Sequence, residues 1–269
     1  MFILFYILYY NIGLIRINYK KILGESFKII QDINSLFFPS RCLVCGEPLT
    51  DNIKLCFECS SKIKAVTKPY CIVCGYPLSF GDNNHFLDEY ECGDCKIHKK
   101  WYSAASAAVH YNDQARALVH KFKFDGFTNL SVFLGSIILQ KYLYDERLGN
   151  EDIIIPVPLH ISRFRERGFN QAELIARQLT KYTSIPTETD ILKRIKKTEP
   201  QYEMTLEERQ KNLLNAFKVM DKNKLKNRNV LVVDDIFTTG STAYEVSKTL
   251  IKGGAEKINF LTVCRALPG

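Results

Sequence analysis

Four Cys-x-x-Cys pairs crowd into the segment from Cys42 to Cys95, and they constrain this chain more than any other feature of its sequence. Two thiolates three positions apart can chelate one ion, and a glycine after the second, as at Gly46 and Gly75, permits the tight turn behind them. A secreted disulfide scaffold would spread its cysteines through the fold and carry a secretory signal. Pairs confined to one segment instead fit metal binding in a reducing cytosol. The segment also repeats itself: Cys42-Leu-Val-Cys-Gly-Glu-Pro-Leu49 returns as Cys71-Ile-Val-Cys-Gly-Tyr-Pro-Leu78, with six of eight positions identical. Cys56 and Cys59 follow the first copy, and Cys92 and Cys95 follow the second. The repeat favours sequential over interleaved pairing, so Cys42, Cys45, Cys56 and Cys59 form one expected Cys₄ zinc ribbon. Cys71, Cys74, Cys92 and Cys95 form the other. Free redox pairs are the alternative, and the spacings differ from those of iron–sulfur sites. His98 reads as a surface histidine rather than a substitute ligand. Cys264, in an apolar run, reads as core.

Three segments follow from this anchor: an apolar or amphipathic extension over residues 1–38, the double ribbon over 39–100, and a larger domain over 101–269. The first 17 residues are mostly apolar but interrupted by Asn11 and Arg16, and the basic residues follow the apolar run rather than precede it, unlike a signal peptide. The uninterrupted stretch falls short of the roughly 20 residues of a spanning helix. A weak membrane anchor, a helix lying on a surface and an extension from an early start codon all remain open. The last is favoured, because residues 23–38 already supply an amphipathic lead-in. The expected location is cytoplasmic, with peripheral membrane association left open. The net charge of +8 suits phosphorylated ligands, nucleic acid or an anionic surface without choosing among them.

Beyond Trp101 the pattern is that of an α/β domain. Strands are predicted over 104–111, 153–157, 230–233 and 258–263, and helices over 115–124, 130–143, 172–182 and 242–251. Asn170 with Glu173 reads as a capping box opening the 172–182 helix. Four consecutive aliphatic residues at 230–233 suit a central parallel strand covered on both faces. Strand, helix and strand from 230 to 263 make a right-handed crossover, so the expected class is a doubly wound parallel α/β sheet preceded by the small Cys-rich module.

The chemistry concentrates in Val232-Val-Asp-Asp-Ile-Phe-Thr-Thr-Gly-Ser-Thr242. A buried strand delivers Asp234 and Asp235 to its C-terminal end, where open α/β sheets bind ligands. The chain then turns through Thr238, Thr239, Gly240, Ser241 and Thr242 into a helix whose first N–H groups and dipole suit a phosphate. Gly240 allows close backbone approach. The carboxylates, about one sugar away, can accept hydrogen bonds from vicinal ribose hydroxyls or hold Mg²⁺ through water. A Walker loop is excluded because no lysine follows the glycine, and a dinucleotide fingerprint because only one glycine is present. Helix caps alone would leave two adjacent carboxylates at a buried strand end without purpose.

At these residues the chain resembles the type I phosphoribosyltransferases, whose signature is Val-Val-Asp-Asp-hydrophobic-x-Thr-Thr-Gly-x-Thr. More closely it resembles the ComF family of competence-associated proteins. Three further stretches carry the resemblance: Ile155-Pro-Val-Pro-Leu-His160 with Arg165-Glu-Arg-Gly-Phe-Asn-Gln171, Leu192-Lys-Arg194 with Gln201, and Glu208-Arg209 with residues 212–217. The resemblance covers about residues 36–266. It implies that phosphoribosyl pyrophosphate (PRPP), accompanied by Mg²⁺, is the ligand. Asp234 and Asp235 would be the ribose-binding and catalytic pair, and Thr238, Thr239, Gly240, Ser241 and Thr242 the 5′-phosphate loop. The segment after Pro158 resembles the pyrophosphate loop, with Arg163, Arg165 and Arg167 facing the leaving group. Residues 192–212, charged and without periodicity, suit a mobile hood. The acceptor is not readable, so phosphoribosyl transfer and a non-catalytic PRPP-sensing adaptor both stand. The family resemblance further implies a step in DNA uptake, with a competence helicase as a candidate partner. Lys62, Lys64, Lys68, Lys96, Lys99 and Lys100 around the ribbons make single-stranded DNA a second candidate, with a solvated basic face as the alternative.

Overall fold

The computed structural model describes residues 41–49, 53–78, 90–198, 208 and 212–267. The extension over 1–38 lies outside these, and so does the surface-helix reading attached to it. Among the described residues no helix is long and apolar enough to cross a membrane. The chain divides into two compact units between Lys64 and Ala65. The boundary falls inside the segment 39–100 that the sequence groups as one module, and separates its two ribbons.

The first unit contains the knuckle at Cys42 and the short helix α1 (Phe57–Ser61), which begins at Cys56. The second unit opens with the knuckle at Cys71 and the short helix α2 (Gly93–Ile97), and continues into the α/β domain.

Four parallel strands form the sheet, β1 (Ala104–His110), β2 (Ile153–Pro156), β5 (Asn229–Phe237) and β6 (Lys257–Arg265), in the order β1-β6-β5-β2. Two central strands flanked by crossovers must bury both faces, which is why β5 carries an aliphatic run and β6 is buried along nearly its whole length. Both extend beyond their predicted cores. In β5 the ladder continues through Asp234, so the carboxylates belong to the strand rather than to a loop after it. Helices α3 (Asp113–Phe124), α4 (Leu130–Tyr144) and α6 (Gln171–Thr183) follow the predicted periodicity. α6 packs on α4 and against β2 and β5, while α8 (Ser241–Gly253) packs on β6.

Capping explains where the helices begin. The Asn112 side chain accepts from the Ala115 N–H at 3.1 Å, starting α3 two residues before the apolar pattern does. Asn170 accepts from the Ala172 N–H and donates to the Val157 carbonyl, both at 3.1 Å. Glu173 pairs with Arg177 one turn on.

Both sheet edges are covered, as exposed edges would template association. Outside β2, the Ile154 N–H donates to Pro186 O and the Glu188 N–H to Ile154 O, each at 2.8 Å. Outside β1, Val66 donates to Ala108 O at 2.9 Å and Ala105 donates to Val73 O at 2.7 Å. The second knuckle is therefore part of the sheet's edge. β1 is built of alanine and serine at this contact, and a Cβ on Gly75 would sit 2.6 Å from Ala105 O. The positive φ of Gly75 would strain a side chain there as well.

Asp145 and Arg147 fasten the same edge. Asp145 is 4% exposed. It accepts from Ser106 at 2.6 Å and from Arg147 through both oxygens, at 2.7 and 2.6 Å. The remaining Arg147 amino group donates to Ile72 O at 2.8 Å and more weakly to Cys71 O. One arginine thus ties a buried carboxylate to the backbone of a Cys-x-x-Cys pair.

Two short strands, β3 (Leu192–Arg194) and β4 (Phe217–Val219), form an antiparallel pair. β4 leads into α7 (Lys222–Leu225). The expected hood therefore has an ordered base. Gln201 and Arg209 lie outside the described residues. The Asn215 N–H donates to the buried Glu245 carboxylate of α8 at 2.8 Å, which gives the 212–217 motif a structural role.

Candidate functional site

The tip of β5 and the start of α8 meet as the sequence predicts. Asp234, Phe237, Thr238, Gly240, Thr242 and Thr262 are among the residues lining a small open cleft at this junction. Gly240 caps α8 with φ +80, and a Cβ there would approach the Phe237 ring at 3.1 Å, so both conformation and space favour glycine. The Thr239 and Ser241 hydroxyls are 2.9 Å apart. The first N–H groups of α8 have no intrahelical acceptor, and with the helix dipole behind them they can bind an oxyanion.

Asp234 is half-buried and Asp235 is 4% exposed. The Asp235 N–H donates to Asp234 Oδ1 at 2.9 Å. Burial, and then the neighbouring Asp235 charge, push the Asp234 carboxyl up to about 8. Such a group is poised to lose a proton when a ligand brings positive charge or donors to it.

Asp235 has partners that the sequence did not disclose. Lys123 of α3 meets it at 2.6 Å, and Gln171 of α6 donates to the same oxygen at 3.4 Å. Arg167 acts electrostatically on Asp235, and Arg194 of β3 on Asp234. The only available signal for Arg194 was its place in the Leu192-Lys-Arg194 motif. Lys123 carried none, because it is one of several lysines on an amphipathic helix.

Residues 161–167, expected as a pyrophosphate loop, form a helix instead, α5 (Ile161–Arg167). His160 caps it by accepting from the Ser162 N–H at 3.3 Å, and Gly168 ends it at φ +82. Three arginines on a single helix cannot all face one site. Arg163 and Arg167 are half-buried and interact electrostatically with each other, and Arg163 also with Arg194. Arg165 is exposed. One buried N–H group on Arg167, the Nε of Arg194 and the Oε1 of Gln171 have no hydrogen-bond partner. Unsatisfied guanidinium donors beside a carboxylate pair are the arrangement an anionic, hydroxyl-bearing ligand would satisfy.

The cysteines assemble in sequence order, as the repeat implies. In each set of four the sulfurs lie within 4.8 Å of one another. Cys45 and Cys56 sulfurs are 3.7 Å apart, and Cys74 and Cys92 sulfurs 3.6 Å. A tetrahedron with Zn–S of about 2.3 Å has edges of about 3.8 Å, so both sets fit zinc. Backbone N–H groups point at the sulfurs, Cys59 at Cys56 (3.4 Å), Cys74 at Cys71 (3.5 Å) and Cys92 at Cys71 (3.3 Å). Hydrogen bonds from Cys74 and Cys95 hold the Cys71 thiol well below the usual range, while those with Cys71 and Cys74 push Cys95 up. His98 is exposed and outside both sets, and Cys264 is buried in β6.

The basic residues near the ribbons are partly neutralised. Lys62 pairs with Glu58 at 2.7 Å and Lys100 with Asp94 at 2.6 Å. Lys64, Lys68, Lys96 and Lys99 are exposed, Lys64 in the first unit and the others in the second.

Comparison with known proteins agrees with this geometry. Residues 33–96 match the double zinc ribbon domain family and residues 139–268 the phosphoribosyl transferase domain family. Competence protein F of Haemophilus influenzae is 34% identical over 235 residues, spanning 86% of this chain and 99% of that protein. DNA utilization protein YhgH of Escherichia coli is 28% identical over 236 residues, with coverage of 86% and 100%. Competence protein ComFC of Bacillus subtilis is 26% identical over 250 residues, with coverage of 84% and 95%.

Proposed function

Because the chain belongs to the competence protein F family, with its double zinc ribbon and phosphoribosyl transferase domain, we propose that it binds PRPP with Mg²⁺ at the tip of β5. The observation that carries this reading is the junction of Asp234 and Asp235 with the Gly240-led start of α8. The 5′-phosphate would accept from the first N–H groups of α8 and from the Thr238, Thr239, Ser241 and Thr242 hydroxyls. The ribose hydroxyls would donate to Asp234 and Asp235. Lys123 positions Asp235 before the sugar arrives. Arg167 and Arg194, with unsatisfied donors, and Arg163 beside them would meet the pyrophosphate.

Transfer on this site is a displacement at the anomeric carbon. A bond forms from the acceptor's lone pair to C1, the C1–O bond to pyrophosphate breaks, and that electron pair leaves with pyrophosphate. The acceptor's proton passes to solvent. Mg²⁺ supplies charge neutralisation on the pyrophosphate. The protein's part is electrostatic: arginines stabilise the departing charge, and carboxylates stabilise an oxocarbenium-like sugar.

A second reading keeps ligand binding without turnover and gives the ribbons an adaptor role for single-stranded DNA or a helicase. The first Cys₄ set favours it, since it belongs to a compact unit other than the one that holds the ribose-phosphate loop. The names of the relatives, competence and DNA utilization proteins, suit either reading. Pyrophosphate release from PRPP across a panel of bases and amines separates them. Release that Asp235→Asn abolishes supports transfer, and PRPP binding without release supports sensing. Absence of both would contradict the proposal.

A further inference from the structure

Between the second Cys₄ set and the ribose-phosphate loop stands Arg265, the last residue of β6. It is 5% exposed, and its Nε and one terminal nitrogen have no hydrogen-bond partner. None of the ion pairs formed by the described residues includes it. A buried guanidinium needs a counter-charge, because removing it from water without one costs several kcal/mol. The groups acting on it electrostatically are Cys74, Tyr102, Cys92 and Cys71. Three of these four are cysteines of a single cluster. Zn²⁺ with four thiolates carries a net charge of about −2, more than enough negative charge to balance the single positive charge of a buried arginine beside it.

The other side of Arg265 faces the loop. Its guanidinium carbon lies 4.3 Å from the centre of the Phe237 ring and 5.8 Å from that of Tyr76, which belongs to the second knuckle. Arg265 and Phe237 are register partners between β6 and β5, and the Ala266 N–H donates to Phe237 O at 2.9 Å. Phe237 in turn supports Gly240, whose added Cβ it would meet at 3.1 Å. Tyr102 makes a parallel link. Its ring stands edge-on to Phe237 at 6.2 Å and to Phe260 at 5.7 Å, and its hydroxyl would lie 3.6 Å from the same Cβ.

We propose that Arg265 is the outer-sphere counter-ion of a zinc ion held by Cys71, Cys74, Cys92 and Cys95, and that through Phe237 it makes this zinc site a support of the ribose-phosphate loop. Arg265 is a positioning residue: it holds Phe237, and Phe237 holds the turn at Gly240. The two zinc sites are then unequal. The second is a component of the ligand site, whereas the first belongs to the other compact unit. The ligand half of this inference rests on the PRPP reading, and the metal half does not.

The test uses the full chain carrying Arg265→Met, Arg265→Lys, Cys92→Ser or Cys45→Ser. Three quantities are read: zinc release to a chromogenic chelator, PRPP–Mg²⁺ affinity by calorimetry, and the thiolate-to-cobalt charge-transfer band. The band is recorded with Co²⁺ loaded into a Cys42→Ser/Cys45→Ser background, which isolates the second site. Arg265→Met should release one of two zinc ions at least about tenfold faster and weaken PRPP binding about tenfold, the size usual for outer-sphere partners. It should also move the cobalt band to lower energy, since sulfur lone pairs lose a neighbouring cation. Arg265→Lys should restore part of each change. Cys45→Ser should lose one zinc and keep PRPP affinity within about twofold, and Cys92→Ser should lose one zinc and bind PRPP poorly. Unchanged zinc release and an unmoved band in Arg265→Met would overturn the counter-ion role. A Cys92→Ser protein that has lost its zinc but binds PRPP as wild type would overturn the support of the loop, even if Arg265→Met does not fold. Failure of the wild type to bind PRPP would refute the ligand reading and this support together, and leave the zinc and cobalt measurements to decide the counter-ion role.

Discussion

Replacing Arg147 by methionine removes the guanidinium that neutralises Asp145 and fastens the second knuckle, while keeping a side chain of similar length. Asp145 would remain buried, with Ser106 at 2.6 Å, the backbone N–H of residue 147 at 3.3 Å and the Lys141 amine at 3.5 Å as its remaining partners. Breaking a buried pair by deleting one partner costs about 3–5 kcal/mol, and the retained Lys141 places this case near the low end, at about 3 kcal/mol. For a unit of this size each kcal/mol moves the melting temperature by about 2–4 °C, so a fall of roughly 6–12 °C is expected. The pH dependence separates charge from packing. Burial would raise the Asp145 carboxyl, but hydrogen bonds and charge from Arg147, with Ser106 and Lys141, hold it well below the usual carboxylate range. Its contribution is therefore complete above the unfolded value of about 3.9 and lost as pH falls through the depressed folded value. In Arg147→Met the unpaired carboxyl takes up a proton at higher pH, which relieves the variant. The gap between the two proteins should thus be widest near neutrality and narrow on acidification towards pH 5. Thermal and urea unfolding across that range measure it. A loss under about 1 kcal/mol at neutral pH, or a gap that does not depend on pH, would refute the charge argument.

Metal analysis of the purified protein should find about two zinc ions per chain, and Cys42→Ser and Cys71→Ser should each lose about one, since each damages a separate tetrahedral set. PRPP affinity should rise as pH increases towards 8, because ribose hydroxyls donate to an ionised Asp234 that burial holds protonated up to about 8. Titrations in buffers of different ionisation enthalpy should detect proton release there, which Asp234→Asn should abolish. If the adaptor reading holds, a labelled single-stranded oligonucleotide should bind weakly by fluorescence anisotropy and lose affinity as salt rises. Charge reversal of Lys62, Lys64, Lys96, Lys99 and Lys100 should remove that binding and leave PRPP affinity nearly unchanged. Absence of DNA binding by the wild type at low salt would reduce these lysines to a solvated surface, as the Glu58 and Asp94 pairings already suggest for two of them.

What could be read in the sequence were properties that local spacing encodes. The Cys-x-x-Cys repeat foretold which sulfurs meet, because each knuckle is a local turn and the repeat orders the pairs. The aliphatic run at 230–233 and the Thr-Thr-Gly-Ser-Thr turn foretold where a strand ends and a helix begins. Asn170 announced its helix by capping it. Long-range pairing was not encoded in this way. Lys123 reaches Asp235 only because tertiary folding brings the end of α3 to the tip of β5, and Arg265 reaches Phe237 only through the parallel register of β6 with β5. The arginines after Pro158 were read as a loop, since the two prolines and Gly168 hide a helix of only seven residues. The division between the ribbons was hidden for a related reason. Repeat symmetry makes the two copies look alike, whereas the contacts that distinguish them are Val66 on Ala108 and Val73 on Ala105, backbone pairings to a distant strand.

Calorimetric titration of PRPP with Mg²⁺ into the wild-type protein and into Asp234→Asn/Asp235→Asn tests the central claim most directly. The account predicts one site per chain with micromolar to submillimolar affinity in the wild type and no measurable binding in the double variant, with zinc content unchanged in both. Undiminished binding by the double variant, or none by the wild type with its zinc intact, would contradict it.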